Sequence, residues 1–239
     1  MSANDPIEGG AQEALPFLPE DAFRPKQPEE LYRLRIVYHK RGRLALLSHL
    51  EVLRAMERTV RRAGLPFAVT QGFSPHMKTS FGSALPVGVG GWSEMFDVFL
   101  TSFVDVNLAL DRLRQASVAD LMVESCEYVD VRSAAPNVQF PISVYEVVLD
   151  SEPGELQVPE SVTVVKKGKE RNLVVSDYLL DAPEVKGCEI AFSLVVRQTG
   201  SLRPDVFTAA LLAGSNAKVE TITRVRQMPD PFSIPMDDL

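Results

Sequence analysis

Cysteine and histidine are scarce: the 239-residue chain holds two cysteines, Cys126 and Cys188, and three histidines, His39, His49 and His76. Two widely spaced thiols build neither a disulfide framework nor a zinc site. Both fall in strand-like segments, where buried, reduced thiols are expected. A metal needs three or four converging ligands, and no thiol or carboxylate cluster joins the histidines, so neither a metal nor a cofactor is expected. No apolar run approaches the roughly 20 residues that span a bilayer. The opening residues lack the basic start and apolar core of a secretory signal. These absences point to a cytoplasmic protein that does not enter a membrane. There is no G-x-S-x-G, and Gly88-Val89-Gly90-Gly91 lacks the lysine and spacing of a phosphate loop. Ser48 is committed to a helix cap. No catalytic residue is assigned.

What is present is a chain with 45% hydrophobic and 8% aromatic residues, enough for one large or two small cores. The net charge is −7, but it is unevenly spread. Between Arg33 and Ser80 lie ten basic residues (Arg33, Arg35, Lys40, Arg41, Arg43, Arg54, Arg58, Arg61, Arg62, Lys78) against Glu51 and Glu57. That segment carries +8, leaving −15 for the remainder. A polyanion responds to the local field more than to the sum.

Residues 1–29, rich in Pro, Glu, Asp and Gly without periodicity, read as a flexible tail. Residues 31–38 alternate polar and apolar, the pattern of a half-buried strand. Ser48-His49-Leu50-Glu51 fits a capping box. Leu50, Leu53, Met56, Val60 and Ala63 recur at steps of three and four, and Gly64 and Pro66 stop the pattern, so a helix is predicted over 49–63. A strand start at Phe67–Thr70, a loop at Gln71–Lys78, an extended stretch at 79–87, a glycine turn at 88–91, a strand at 93–100, a helix at 106–115 and a strand at 121–129 complete the series. This is β-α-β-β-α-β, the ferredoxin-like pattern, placed at 30–133. Ala134-Ala135-Pro136 marks a boundary. Residues 134–239 then read as a second, related α+β domain. Its strands are predicted at 142–149, 162–166, 172–176, 189–197 and 219–227, its hairpin turn at Lys167-Gly168-Lys169 and its helix at 204–213, with one helix missing. The fold class is α+β.

The stretch Ser48-His49-Leu50-Glu51, Arg54, Glu57-Arg58, Arg61-Arg62-Ala63-Gly64-Leu65-Pro66, then Gly72-Phe73-Ser74-Pro75-His76 and Lys78, resembles the radical SAM-linked protein family. Leu85-Pro86-Val87-Gly88, Glu94, Lys166–Lys169, the Asp177 region and Gly200–Asp205 extend the likeness. That family is a domain of unknown function found beside, or fused behind, a radical SAM enzyme with a cobalamin-type (B12-binding) domain. The resemblance implies such an enzyme as partner. The segment after Asp150 is shorter here than in the family, which puts the second-half topology in question, and the acidic N-terminal stretch lies outside the pattern. The chain has no three-cysteine motif, so it cannot itself hold the iron–sulfur cluster of such an enzyme.

Arg54, Arg58, Arg61 and Arg62 stand at i, i+4, i+7 and i+8, opposite the apolar stripe. Their planar forks suit phosphate oxygens, though a solvated face paired through Glu51 and Glu57 is the plain alternative. In the loop, Phe73 can stack on a base and His76 and Lys78 can meet phosphate; the plain alternative buries Phe73 in a rigid turn. His49 is expected to hydrogen-bond this loop. Arg43 extends the basic surface. The expected role is an accessory module presenting RNA to a radical SAM enzyme. The alternatives are a metal-independent RNA-processing enzyme using His49 or His76, and a pure protein–protein adaptor.

Overall fold

The computed structural model describes residues 30–166 and 168–231; the tail at 1–29 and Lys167 of the hairpin turn lie outside them. The first half comprises β1 (Tyr32–Lys40), α1 (His49–Arg62), β2 (Thr79–Phe81), β3 (Val89–Leu100), α2 (Val106–Ala116) and β4 (Val123–Val129). A one-turn helix, α3 (Pro136–Gln139), leads into the second half. There follow β5 (Ile142–Leu149), β6 (Ser161–Lys166), β7 (Lys169–Val174), β8 (Glu184–Lys186), β9 (Glu189–Val195), α4 (Pro204–Leu211) and β10 (Val219–Met228). The protein is α+β, as the sequence indicated. Among the described residues no helix is long and apolar enough to cross a membrane.

In the first half β4, β1, β3 and β2 lie side by side, all antiparallel, the order two split βαβ units produce. In the second half β10, β5, β9 and β8 repeat that order. The helix missing after β5 is replaced by the β6–β7 hairpin, whose Val162 and Leu173 join Phe192 and Phe207 in the core. One parallel pairing, Ile222–Arg224 of β10 with Val89–Gly91 of β3, fuses the halves into an eight-stranded sheet.

Three local readings are corrected. Gly90 and Gly91 do not form a turn; they open β3. A Cβ on Gly90 would stand 3.3 Å from the Lys40 carbonyl and 3.5 Å from Thr223 Oγ1, so glycine eases the close approach of β1 and β10 on its two sides. The second strand is interrupted. Phe67 pairs with Leu100, the chain leaves the sheet as a hairpin closed by Val69 and Met77, and Thr79 rejoins β3 opposite Val98. Helix α1 buries Val52, Met56, Thr59, Val60 and Ala63, while Leu50, counted in the stripe, is 63% exposed. Successive residues turn by about 100°, and Val52 rather than Leu50 meets the sheet.

The even residues of β1 and β3 (Leu34, Ile36, Phe96, Val98, Leu100) face α1 and α2. Their odd neighbours point to the other face. There Asp97, fully buried, accepts from both Arg33 Nε and Arg35 Nε at 2.8 Å. Arg33 also donates to the carbonyls of Val131, Ser133 and Ala134. Arg35 donates to Gln139 Oε1 at 2.6 Å and stacks over Phe140. The segment between the halves is thus bound to β1. It follows that the +8 of residues 33–80 is not all surface charge: Arg33, Arg35 and Lys40 are buried. Their alternation with apolar residues looks like a solvated face because the covering segment lies about 100 residues away.

Candidate nucleic-acid and partner interface

Helix α1 starts where Ser48 leaves extended backbone. The backbone N–H and hydroxyl of Ser48 donate to Glu51 Oε2 at 2.8 and 2.7 Å, closing the capping box. These bonds hold the Glu51 carboxyl below its usual range. At the other end the chain turns at Gly64 with φ +64°, a conformation glycine adopts without a Cβ penalty.

The outer face of α1 presents Arg54, Arg58, Arg61 and Arg62, all exposed. None forms an ion pair with a carboxylate among the described residues, and the helix-spaced Glu57–Arg61 pair is not made. Arg61 stacks over Phe67 with its guanidinium carbon 4.8 Å from the ring centre. Arg62 donates to the Ala116 carbonyl at the end of α2. The charge of Arg54 acts on Glu51, and Arg58 forms no ion pair with a carboxylate among the described residues.

The hairpin inserted in the second strand leaves the sheet after Phe67 and returns at Thr79. Its base is set by Thr70 N–H to the His76 carbonyl at 2.8 Å. His76 N–H donates to Thr70 Oγ1 at 3.2 Å, and His76 Nδ1 lies 3.0 Å from the Ser74 carbonyl. Thr70 Oγ1 lies 3.3 Å from the same Nδ1. Phe73, at the tip, is 97% exposed, so the plain alternative of a core phenylalanine is not what the fold builds.

Other residues read from the sequence go elsewhere. Lys78 sits one position after the buried Met77, and its ammonium lies 4.7 Å from the Phe99 ring centre, on the face opposite α1. His49 does not reach the loop. It packs edge-on against Phe81, 5.7 Å between centres, and, half-buried, lines a small space of about 10 Å³ with Tyr38, Lys40 and Glu94. Burial lowers its pKa, with Glu94 opposing and Lys40 assisting. The Lys40 ammonium is likewise pushed down by burial, against the pull of Glu94. Arg43 stands apart, exposed in the 3₁₀ turn Gly42–Leu46. His39 is buried between Glu124 and the Ala119 carbonyl. Cys126 is buried, its thiol pushed up to about 11 by burial, whereas Cys188 is half-buried rather than enclosed. Among the described residues no three of His, Cys, Asp and Glu gather to hold a metal.

The residues the sequence reading missed are the charged pairs between strands. Arg224 of β10 is 1% exposed and grips Glu94 of β3 with both Nε and Nη2, while Nη2 also donates to the Ser83 carbonyl. Beside it, Pro86, Ser201, Arg203 and Pro204 help line a cavity of about 300 Å³ between the halves. Glu94 and Gly200–Asp205 were marked by resemblance alone; their proximity follows from the β3–β10 pairing, which no local signal announces.

The arrangement defines an α+β protein with an exposed basic helix face, an exposed phenylalanine at a hairpin tip and, among the described residues, no metal-holding group of His, Cys, Asp and Glu. The chain belongs to a bacterial family described as an uncharacterized protein conserved in bacteria, DUF2344, whose profile matches residues 33–204, from β1 to the start of α4. No curated protein matches the chain.

Proposed function

We propose that this chain is an accessory binding protein, not itself a catalyst, that presents an RNA substrate to a radical SAM enzyme bearing a cobalamin-type domain. The observation that supports RNA is the outer face of α1. Arg54 and Arg58 are exposed and form no ion pair within 4 Å with a carboxylate among the described residues, and Phe73 at the tip of the hairpin is 97% exposed. Unpaired guanidinium forks give salt-dependent phosphate affinity, and an exposed ring adds a sequence-tolerant stacking platform. The enzyme partner rests on the likeness of Ser48–Pro66 and Gly72–Lys78 to the radical SAM-linked proteins.

Filter binding with transfer RNA and ribosomal RNA fragments tests the reading. Arg54→Glu with Arg58→Glu should lower affinity by about tenfold or more and flatten its salt dependence. Unchanged retention removes this surface from the argument. Capture of the enzyme partner that survives nuclease treatment and the double variant would favour a protein adaptor. Cleavage of bound RNA by the purified chain would move the reading to an enzyme.

A further inference from the structure

The glycine run 88–91 lacks a phosphate loop's lysine in sequence, but the fold brings one to it. Lys40, at the end of β1, is the register partner of Gly91. Its side chain lies along the run, with the ammonium donating to the Val89 carbonyl at 3.3 Å. Lys40 is 2% exposed, and its ammonium makes no further hydrogen bond or ion pair among the described residues. Glu94 opposes the effect of burial on this ammonium, and Lys40 lines a small space with Glu94 and His49, so the lysine anchors the run and the exposed donors beside it are the arginines.

This lysine borders an open groove of about 440 Å³, within the range of small-ligand sites, about 300–1,000 Å³. The glycines supply a floor without side chains. The 3₁₀ turn Gly42–Leu46 forms one wall, tied down by the Gly88 N–H to the Ala45 carbonyl at 2.9 Å. Trp92 enters from β3, 48% exposed, with the Arg41 guanidinium carbon 5.3 Å from the ring centre. Arg43 is exposed, and neither it nor Arg41 forms an ion pair with a carboxylate among the described residues. Glu220 and Thr223 of β10 close the far side.

We infer that this groove binds a nucleotide unit, its base against Trp92 and its phosphate between Arg41 and Arg43. An aromatic ring offers a stacking surface to any base, arginine forks match phosphate oxygens, and the glycine floor permits close approach. The unit is either a free mononucleotide or one residue of a single-stranded RNA. The site is separate from the α1 face.

Trp92 is the only tryptophan in the chain, so its fluorescence reports on this groove alone. The full chain is titrated with AMP, adenosine and a short single-stranded RNA. Saturable quenching by AMP assigns a free nucleotide; quenching by the RNA with none by AMP assigns a strand. In either case Arg43→Glu weakens the response about tenfold or more with an unchanged melting temperature, and adenosine binds more weakly than AMP. With AMP as the probe, the Arg54→Glu/Arg58→Glu variant keeps the full response, whether or not it retains RNA on filters. Absence of saturable quenching by both AMP and RNA, or quenching that Arg43→Glu leaves unchanged, overturns the assignment. A response lost with the α1 variant and not with Arg43→Glu places the ligand on the helix and overturns it too.

Discussion

The two halves share a strand order, β4-β1-β3-β2 and β10-β5-β9-β8, yet present different surfaces. Between the first two strands of the order-defining unit, the first half inserts α1, whose outer face is arginine. At the corresponding place the second half inserts the β6–β7 hairpin, with Glu170, Arg171 and Asn172 exposed in a mixed pattern. The hairpins that follow differ as well. β8 and β9 are joined tightly through Gly187 at φ +60°, while the second strand of the first half is broken by an excursion carrying Phe73. The sheet is the constant element and its cover sets the surface chemistry, which places the candidate RNA surface in the first half.

Substitutions can break that comparison or sharpen it. The largest effect is expected from Asp97→Ala, which leaves Arg33 and Arg35 buried without a counter-charge. Removing one partner of a buried pair costs about 3–5 kcal/mol, read by urea unfolding, and residues 131–140 should become accessible to protease. A loss below about 1 kcal/mol would mean that the charged face of the first sheet is no more stabilising than a surface pair. Phe73→Ala comes next. RNA affinity should fall by the stacking of one base, about 1–3 kcal/mol, while stability stays within about 0.5 kcal/mol; a matching drop in stability would show the ring to be structural. Ser48→Ala removes the cap hydroxyl and should cost about 1 kcal/mol, in the first half only.

The smallest effect is a pH slope. Burial lowers the pKa of His49, so the unfolded chain takes up the proton more readily than the folded one. Its stabilising contribution is complete above the usual histidine value of about 6.5 and declines as pH falls below it. The groups facing it are Tyr38, Lys40 and Glu94. His49→Phe should flatten the melting temperature between about pH 7 and 5; an unaltered slope would assign the titration elsewhere.

Much of the first half was legible because its signals are local. The Ser48–Glu51 box, the period of α1 and the Gly64 stop each lie within a few residues, and short-range geometry is what sequence spacing encodes. The exposed arginines follow from that period. The charges were less legible. Arg33, Arg35 and Lys40 carry the same formal charge as Arg54 and Arg58, and only register shows that Asp97 and the covering segment take the first two inside. The same holds for Gly90 and Gly91, which read as a turn until two flanking strands are known to press against them.

By itself the sequence determined an α+β chain with a capped, arginine-faced helix, a glycine–proline loop after it and a membership spanning residues 33–204. The tertiary structure alone decided that His49 turns inward, that Lys78 leaves the arginine face, that β10 joins β3, and that Lys40 meets the glycine run. The reason is one of range. Helix caps and periods are fixed by backbone hydrogen bonds over three or four residues, whereas strand register brings together residues separated by tens to more than a hundred positions, and that pairing is settled only when the whole sheet closes.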